Sequence, residues 1–211
     1  MKVNETFLSL QGEGFFTGTP AFFLRLSGCN LQCPFCDTQH LSFVEMTEEE
    51  IVAEASRHKP RHIVITGGEP ALQLTESLVD KLHEAGFFIQ VETNGTLPLP
   101  EGIDWVTCSP KTASPVPSQG GVNAPSLLER AGVRPHELKV LYMGDVTDPE
   151  DVLKSLPPFW GGGRGPRLYL QPLDTGNKER NRIILRDTIA YVMKHPKWSL
   201  SLQTHKLLGI K

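Results

Sequence analysis

Gly28-Cys29-Asn30-Leu31-Gln32-Cys33-Pro34-Phe35-Cys36-Asp37-Thr38 is the stretch that decides how this chain is read. It holds a Cys-x3-Cys-x2-Cys triplet. Four extended residues span roughly 13 Å at most, so three thiolates this close in sequence can wrap one small inorganic cluster. Asn30 and Pro34 keep the segment out of a helix or strand, as a wrapping loop needs. Three ligands are one short of the four that a closed site uses. A four-iron, four-sulfur cluster held this way keeps one iron open, much as a catalytic zinc site leaves one position for chemistry.

The blander uses of cysteine fit less well. A structural zinc site wants a fourth ligand at matched spacing, and the nearest extra candidates are His40 and the distant Cys108. A disulfide framework is unsuited to 4 cysteines in 211 residues, three of them in one loop. An electron-transfer ferredoxin normally supplies four thiolates. Cys108 itself reads as a small core residue.

Length predicts a single domain over residues 1–211. A net charge of -3 without a long single-sign run argues against a nucleic-acid partner. No apolar run reaches the ~18 residues a membrane span needs, and residues 1–10 lack the pattern of a signal peptide. A reducing cytoplasm is the expected location, and it suits cysteines that stay thiolate.

Outward from the triplet, strands and helices alternate. Phe22–Leu26 reads as a strand that delivers the cysteine loop. Thr47 and Glu50 form a capping box that opens a helix with Ile51, Val52 and Ala55. His62–Thr66 is a β-branched run that fits a buried parallel strand and ends at Gly67-Gly68-Glu69-Pro70. One helix is predicted to carry Leu72, Leu78, Val79 and Leu82 and to stop near Gly86. Strands follow at Phe87–Glu92, Trp105–Cys108, Leu138–Tyr142 and Leu168–Leu170. Thr112–Ala124 reads as a loop and Pro157–Arg167 as a linker. Asp148–Leu156 and Asn177–Lys194 read as helices, and Trp198–Leu202 as a last strand. The run Gly161–Gly165 lacks the context of a phosphate loop. The pattern implies an α/β fold with a parallel sheet and right-handed crossovers, whose strands' carboxyl edge is where ligands bind.

The triplet, with aromatic Phe35 just before its last cysteine, resembles the signature of the radical S-adenosylmethionine (SAM) superfamily. Several further segments carry a narrower resemblance: Leu8-Ser9-Leu10-Gln11-Gly12-Glu13-Gly14, Arg25-Leu26-Ser27-Gly28, Cys36-Asp37-Thr38, Thr66–Pro70, Glu92-Thr93-Asn94-Gly95, Ser109-Pro110-Lys111, Gln171-Pro172-Leu173-Asp174 and Leu202–Lys206. Together they are similar to the 7-carboxy-7-deazaguanine synthase family of queuosine and deazapurine biosynthesis, nearly end to end. The superfamily resemblance implies a partial (β/α) barrel, here with about six parallel core strands and reduced helical covering.

The family resemblance also implies an activity. 6-Carboxy-5,6,7,8-tetrahydropterin would be contracted to 7-carboxy-7-deazaguanine with loss of ammonia, after a 5'-deoxyadenosyl radical takes hydrogen from C6. SAM would be regenerated. The cofactors would be the 4Fe-4S cluster, SAM and Mg²⁺; the partners, a second copy in a homodimer and an electron donor such as flavodoxin or ferredoxin. Cys29, Cys33 and Cys36 would ligate the cluster and Thr38 the Mg²⁺. Leu10, Gln11, Gly12, Glu13, Arg25, Thr66 and His205, the last placed on the final strand, would bind substrate. Phe35, Cys36, Asp37, Gly68, Glu92, Asn94, Ser109, Pro110, Lys111, Gln171, Pro172, Leu173 and Asp174 would bind SAM. Arg25 suits a carboxylate because its guanidinium fork matches one bidentately, though a structural ion pair is the competing role.

Two other functions compete. An activase that places a glycyl radical on a partner protein shares the triplet, but the Gln11–Glu13 opening and Arg25 favour a small acidic substrate. A non-catalytic module with zinc on the triplet plus His40 is separated by metal analysis: about four irons per chain against one zinc.

Overall fold

Alternation along the strands sorts the chain into an apolar face and a polar one. β2 (Pro20–Leu26) buries Phe22, Leu24 and Leu26 against helices. It turns Phe23 and Arg25 into a cavity on the other side. β4 (His62–Gly67) does the same: Ile63 and Ile65 join the helix-facing core, and Thr66 meets the cavity. The β-branched run therefore splits between an apolar outer layer and an inner face that takes ligand-facing groups.

The computed structural model describes residues 1–39, 42–111, 134–144, 148–154 and 165–211. One nine-stranded sheet carries every described strand, in the order β3-β1-β2-β4-β5-β6-β7-β8-β9. The remaining strands are β1 (Lys2–Leu10), β3 (Val44–Glu45), β5 (Phe88–Thr93), β6 (Trp105–Cys108), β7 (Glu137–Tyr142), β8 (Arg167–Pro172) and β9 (Trp198–Leu200). β2 and β4 to β9 run parallel, while β1 is antiparallel to β2 and β3 to β1. The result is the partial barrel expected, with β3 and β9 as its two edges.

The helices among the described residues are α1 (Glu48–Ser56), α2 (Glu76–Glu84), α3 (Pro149–Lys154), α4 (Lys178–Lys194) and α5 (Thr204–Leu208). The Thr47/Glu50 capping box is formed in full at the start of α1. Ile51 and Ala55 of α1 and Leu78, Val79 and Leu82 of α2 pack on the outer face of β2, β4 and β5. Trimming a fully buried leucine such as Leu78 to alanine costs about 2–5 kcal/mol. A second core under α3 and α4 gathers Cys108, Leu138, Val140, Val152, Leu170 and Trp198.

Several expectations are corrected. The seven parallel strands among the described residues agree with the expected count of about six; the corrections concern single elements. β1 and β3 carry no clear alternation of apolar and polar residues, and both lie at the sheet's half-exposed margin, so neither was anticipated. Leu72 belongs to a separate 3-10 turn, Pro70–Leu72, capped by Glu69; α2 begins afresh at the Thr75 cap. β9 ends at Leu200, so His205 sits on α5. His40, the loop at 112–124, the helix end at 155–156 and most of the 157–167 linker lie outside the described residues.

Candidate active site

The carboxyl ends of the parallel strands open onto a cavity of about 790 Å³. Its floor is the loop between β1 and β2. Gln11, Gly12 and Glu13 line the cavity. Phe15 and Phe16, one turn later, pack on Trp105, His62 and Phe88 near the strands' amino ends. The loop is tied to its surroundings. The Gln11 and Gly18 amides donate to Thr19 and Gln11 carbonyls at 2.8 and 2.7 Å. The Gly14 and Phe15 amides donate to Ser201 Oγ and Glu137 Oε2 at 3.1 and 2.9 Å. The Thr204 amide donates to the Gly12 carbonyl at 2.9 Å, which brings α5 down onto the floor. A Cβ at position 12 would lie 2.1 Å from His205 Nδ1, so a larger residue there has to displace that imidazole.

Beneath the cavity a row of polar side chains crosses four strands. His62 pairs with Gln90 at 2.9 Å, Gln90 donates to Thr107 at 3.2 Å, and Thr107 donates to Glu137 at 2.9 Å. Burial holds the His62 imidazole below its usual range and the Glu137 carboxyl above.

Above that row lies a charged one. The Lys139 ammonium meets Glu13 Oε2 in a short ion pair and Glu92 Oε2 at 3.3 Å. Gln11 Nε2 donates to Glu92 at 2.9 Å, and Gln203 Nε2 donates to Glu13 at 2.9 Å. Although burial opposes it, the Lys139 charge draws the Glu13 carboxyl down to about 2. On β2, Arg25 Nε donates to Glu5 at 3.0 Å, and its Nη1 lies 3.5 Å from Thr38 Oγ1. Thr66 stands beside Arg25 in the β2–β4 register.

The cysteine loop borders the same cavity, with Cys29, Cys33 and Cys36 all lining it as free thiols. Asn30 ties the loop to the end of β5: its Nδ2 donates to Thr96 at 2.7 Å, and its Oδ1 accepts from Asn94 at 3.1 Å. Buried Glu69 holds that strand end from beneath, accepting from Thr93 Oγ1 and the Asn94 amide at 2.7 Å each. Gly68 packs directly on the loop, since a Cβ there would lie 2.0 Å from the Gly28 carbonyl oxygen. Burial raises the Cys29 and Cys33 thiols, and the Lys111 ammonium draws Cys33 partly back. Cys108, fully buried in the second core, is pushed up to about 12. Among the described residues no three His, Cys, Asp or Glu side chains converge on a point for a single metal ion.

Nearly all residues anticipated from the sequence border this one space: Leu10, Gln11, Gly12, Glu13, Arg25, Phe35, Asp37, Thr38, Thr66, Gly68, Glu92, Asn94, Ser109, Lys111, Gln171, Leu173, Asp174 and His205. Pro110 and Pro172 are not among its lining residues. Lys139, Gln203 and Lys206 line it and were not anticipated. Lys139 was legible in principle: between Leu138 and Val140, both buried in the outer core, alternation points it inward. Lys206 bridges Asp37 at 2.8 Å and Asp174 at 3.0 Å, a long-range pairing with no local signature.

Comparison with known proteins narrows the chemistry. The family model of the Radical SAM superfamily matches residues 24–142. A Bacteroides thetaiotaomicron protein named 7-carboxy-7-deazaguanine synthase is 46% identical over 211 residues, 100% of this chain and 98% of the relative. A Bradyrhizobium diazoefficiens protein of the same name is 37% identical over 99% of this chain and 98% of its own. The crystal structure of QueE from Escherichia coli superposes with a TM-score of 0.71 at 32% identity, covering 95% of this chain and 92% of that one.

Proposed function

This chain belongs to the radical SAM superfamily, and within it to the 7-carboxy-7-deazaguanine synthases, and from that we propose its reaction. It converts 6-carboxy-5,6,7,8-tetrahydropterin to 7-carboxy-7-deazaguanine and ammonia by ring contraction, an early step of queuosine and 7-deazapurine biosynthesis. The observation that best supports this reading is the polarity of the cavity. Arg25 stands on one wall and the Glu13 carboxylate on the floor, with Glu92, expected at SAM, beside it across Lys139, so a flat ligand with a carboxylate at one end and N–H donors at the other is matched at both.

The residues present fit the cofactors that the family implies. Cys29, Cys33 and Cys36 are free, belong to one loop and face the cavity, as ligands to three corners of a 4Fe-4S cluster must. Phe35, Asp37, Gly68, Asn94, Ser109, Lys111, Gln171, Leu173 and Asp174 border the space beside them and would hold SAM. Held there, cluster and SAM would supply the radical chemistry that the family resemblance implies.

The chain's own groups bind and orient. Arg25 takes the substrate carboxylate with its remaining guanidinium edge while Glu5 fixes Nε. Glu13 accepts from the pterin N–H groups, Gln11 and the backbone at Leu10 and Gly12 shape the floor, and Thr66 and His205 close the sides. Thr38 offers its hydroxyl to Mg²⁺, a hard ion that prefers oxygen. The protein acts as a homodimer fed by a flavodoxin or ferredoxin in a reducing cytoplasm. No helix among the described residues is long and apolar enough to cross a membrane.

The test is mass spectrometry of an anaerobic reaction of reconstituted protein, SAM, reductant, Mg²⁺ and the pterin. A product lighter than substrate by one ammonia is expected. Deoxyadenosine without that product would make the substrate wrong.

A further inference from the structure

We propose that Lys139 is a positioning residue for the ring contraction: its ammonium holds the Glu13 and Glu92 carboxylates side by side, both aimed into the substrate cavity. The inference rests on the pterin reading of that cavity and adds a residue of β7 to it.

The geometry carries it. The Lys139 side chain is 4% exposed, so its charge has almost no water around it and depends on protein partners. Those partners are two carboxylates from opposite parts of the chain, Glu13 of the floor loop and Glu92 near the end of β5. Each carboxylate has its other oxygen fixed by an amide: Gln203 Nε2 on Glu13 and Gln11 Nε2 on Glu92, both at 2.9 Å. The Gln11 amide is itself oriented, because its Oε1 accepts from the Glu13 backbone at 3.1 Å. The result is a closed chain, Gln203–Glu13–Lys139–Glu92–Gln11, that fixes two anions in one wall. Two carboxylates that share one ammonium repel each other, and the cation between them offsets that repulsion. Among the described residues, the other charged or titratable groups facing the cluster are Glu137, one alternation below Lys139 on β7, Lys111 after β6 and His205 on α5. Of Lys139, Lys111 and His205, Lys139 alone is placed in an ion pair with both carboxylates, and its charge acts on Glu13 more strongly than that of His205.

The experiment compares Lys139→Met and Lys139→Arg with wild-type holoenzyme, reading iron content, deoxyadenosine formed without pterin, and kcat and KM for the pterin from pH 5 to 9. Lys139→Met is expected to keep its iron and its deoxyadenosine formation but to raise KM at least about ten-fold. With no ammonium to share, one carboxylate stays protonated to higher pH. The acid limb of kcat/KM therefore moves up, and alkali restores part of the activity. Lys139→Arg keeps the charge and leaves the limb where wild type has it. A Lys139→Met enzyme with the wild-type KM and pH profile overturns the proposal. Should that variant not fold, the uncharged Lys139→Gln takes its place: a raised acid limb supports the role of the charge, and the wild-type limb overturns it. A wild-type enzyme that leaves the pterin unconverted removes the functional reading and this proposal together. A normal wild type with indifferent variants removes only the proposal.

Discussion

The floor loop, 11–19, meets the cavity with its backbone amides bonded to Thr19, Ser201 and Glu137, its Glu13 side chain paired and its aromatic pair packed on Trp105. The cysteine loop, 28–39, meets the same cavity differently: Asn30 and Asp37 anchor it, while its three sulfurs face the open space, Cys36 exposed and Cys29 and Cys33 half-buried. One loop takes most of its hydrogen bonds from the protein itself and keeps Glu13 in an ion pair. The other presents ligating atoms whose partner comes from outside. The contrast teaches that order on the floor belongs to folding, whereas order at the sulfurs belongs to loading, so substitutions in the two should fail in different assays.

The largest expected effect breaks the chemistry and leaves the fold. Cys29→Ala should lose the about four irons per chain and all product, yet unfold within about 1 kcal/mol of wild type. Iron analysis and thermal melting of the same sample check it, and retained turnover would erase the contrast. Next, Arg25→Ala should keep iron and SAM cleavage while raising KM for the pterin about ten- to a hundred-fold, the worth of a charge-assisted contact. An unchanged KM would return Arg25 to its ion pair with Glu5. Smaller again, Gly12→Ala sets a Cβ against His205 and should cost about 1–3 kcal/mol in denaturant unfolding without loss of iron.

The smallest effect is a pH dependence. Glu13 is held down at about 2, below its ordinary 4.5. Its stabilising contribution is therefore complete above pH 4.5 and fades as pH falls toward 2. Glu13→Gln should flatten that part of the curve of melting temperature against pH, whereas Cys29→Ala should leave it unchanged.

How much of this was legible from the sequence follows the same division. The triplet announces itself because metal ligation fixes spacing within one loop, and Arg25 because a cation amid Phe22, Phe23 and Leu24 needs an inward partner. The parallel strands and the capped helix α1 follow from alternation and a local capping box. What escaped is non-local. β1 joins the sheet through pairing with β2 rather than through its own pattern. The apolar spacing carries on from Leu72 to Leu78 and Leu82, and only the turn that Pro70 starts and the new cap at Thr75 separate Leu72 from α2. His205 was set on a strand because no cap bond marks the start of α5, whose placement is decided by Thr204 on the Gly12 carbonyl. Lys139 and its two carboxylates come from three distant segments, and only the folded barrel makes them one group.

The most direct test of the central claim is to count product against SAM. Reconstituted enzyme, reductant, Mg²⁺ and excess pterin are incubated anaerobically with SAM limiting. Regeneration of SAM within a ring-contracting cycle predicts more 7-carboxy-7-deazaguanine than SAM supplied, with the SAM recovered. Deoxyadenosine rising one for one with SAM consumed, and no deazaguanine, would contradict it.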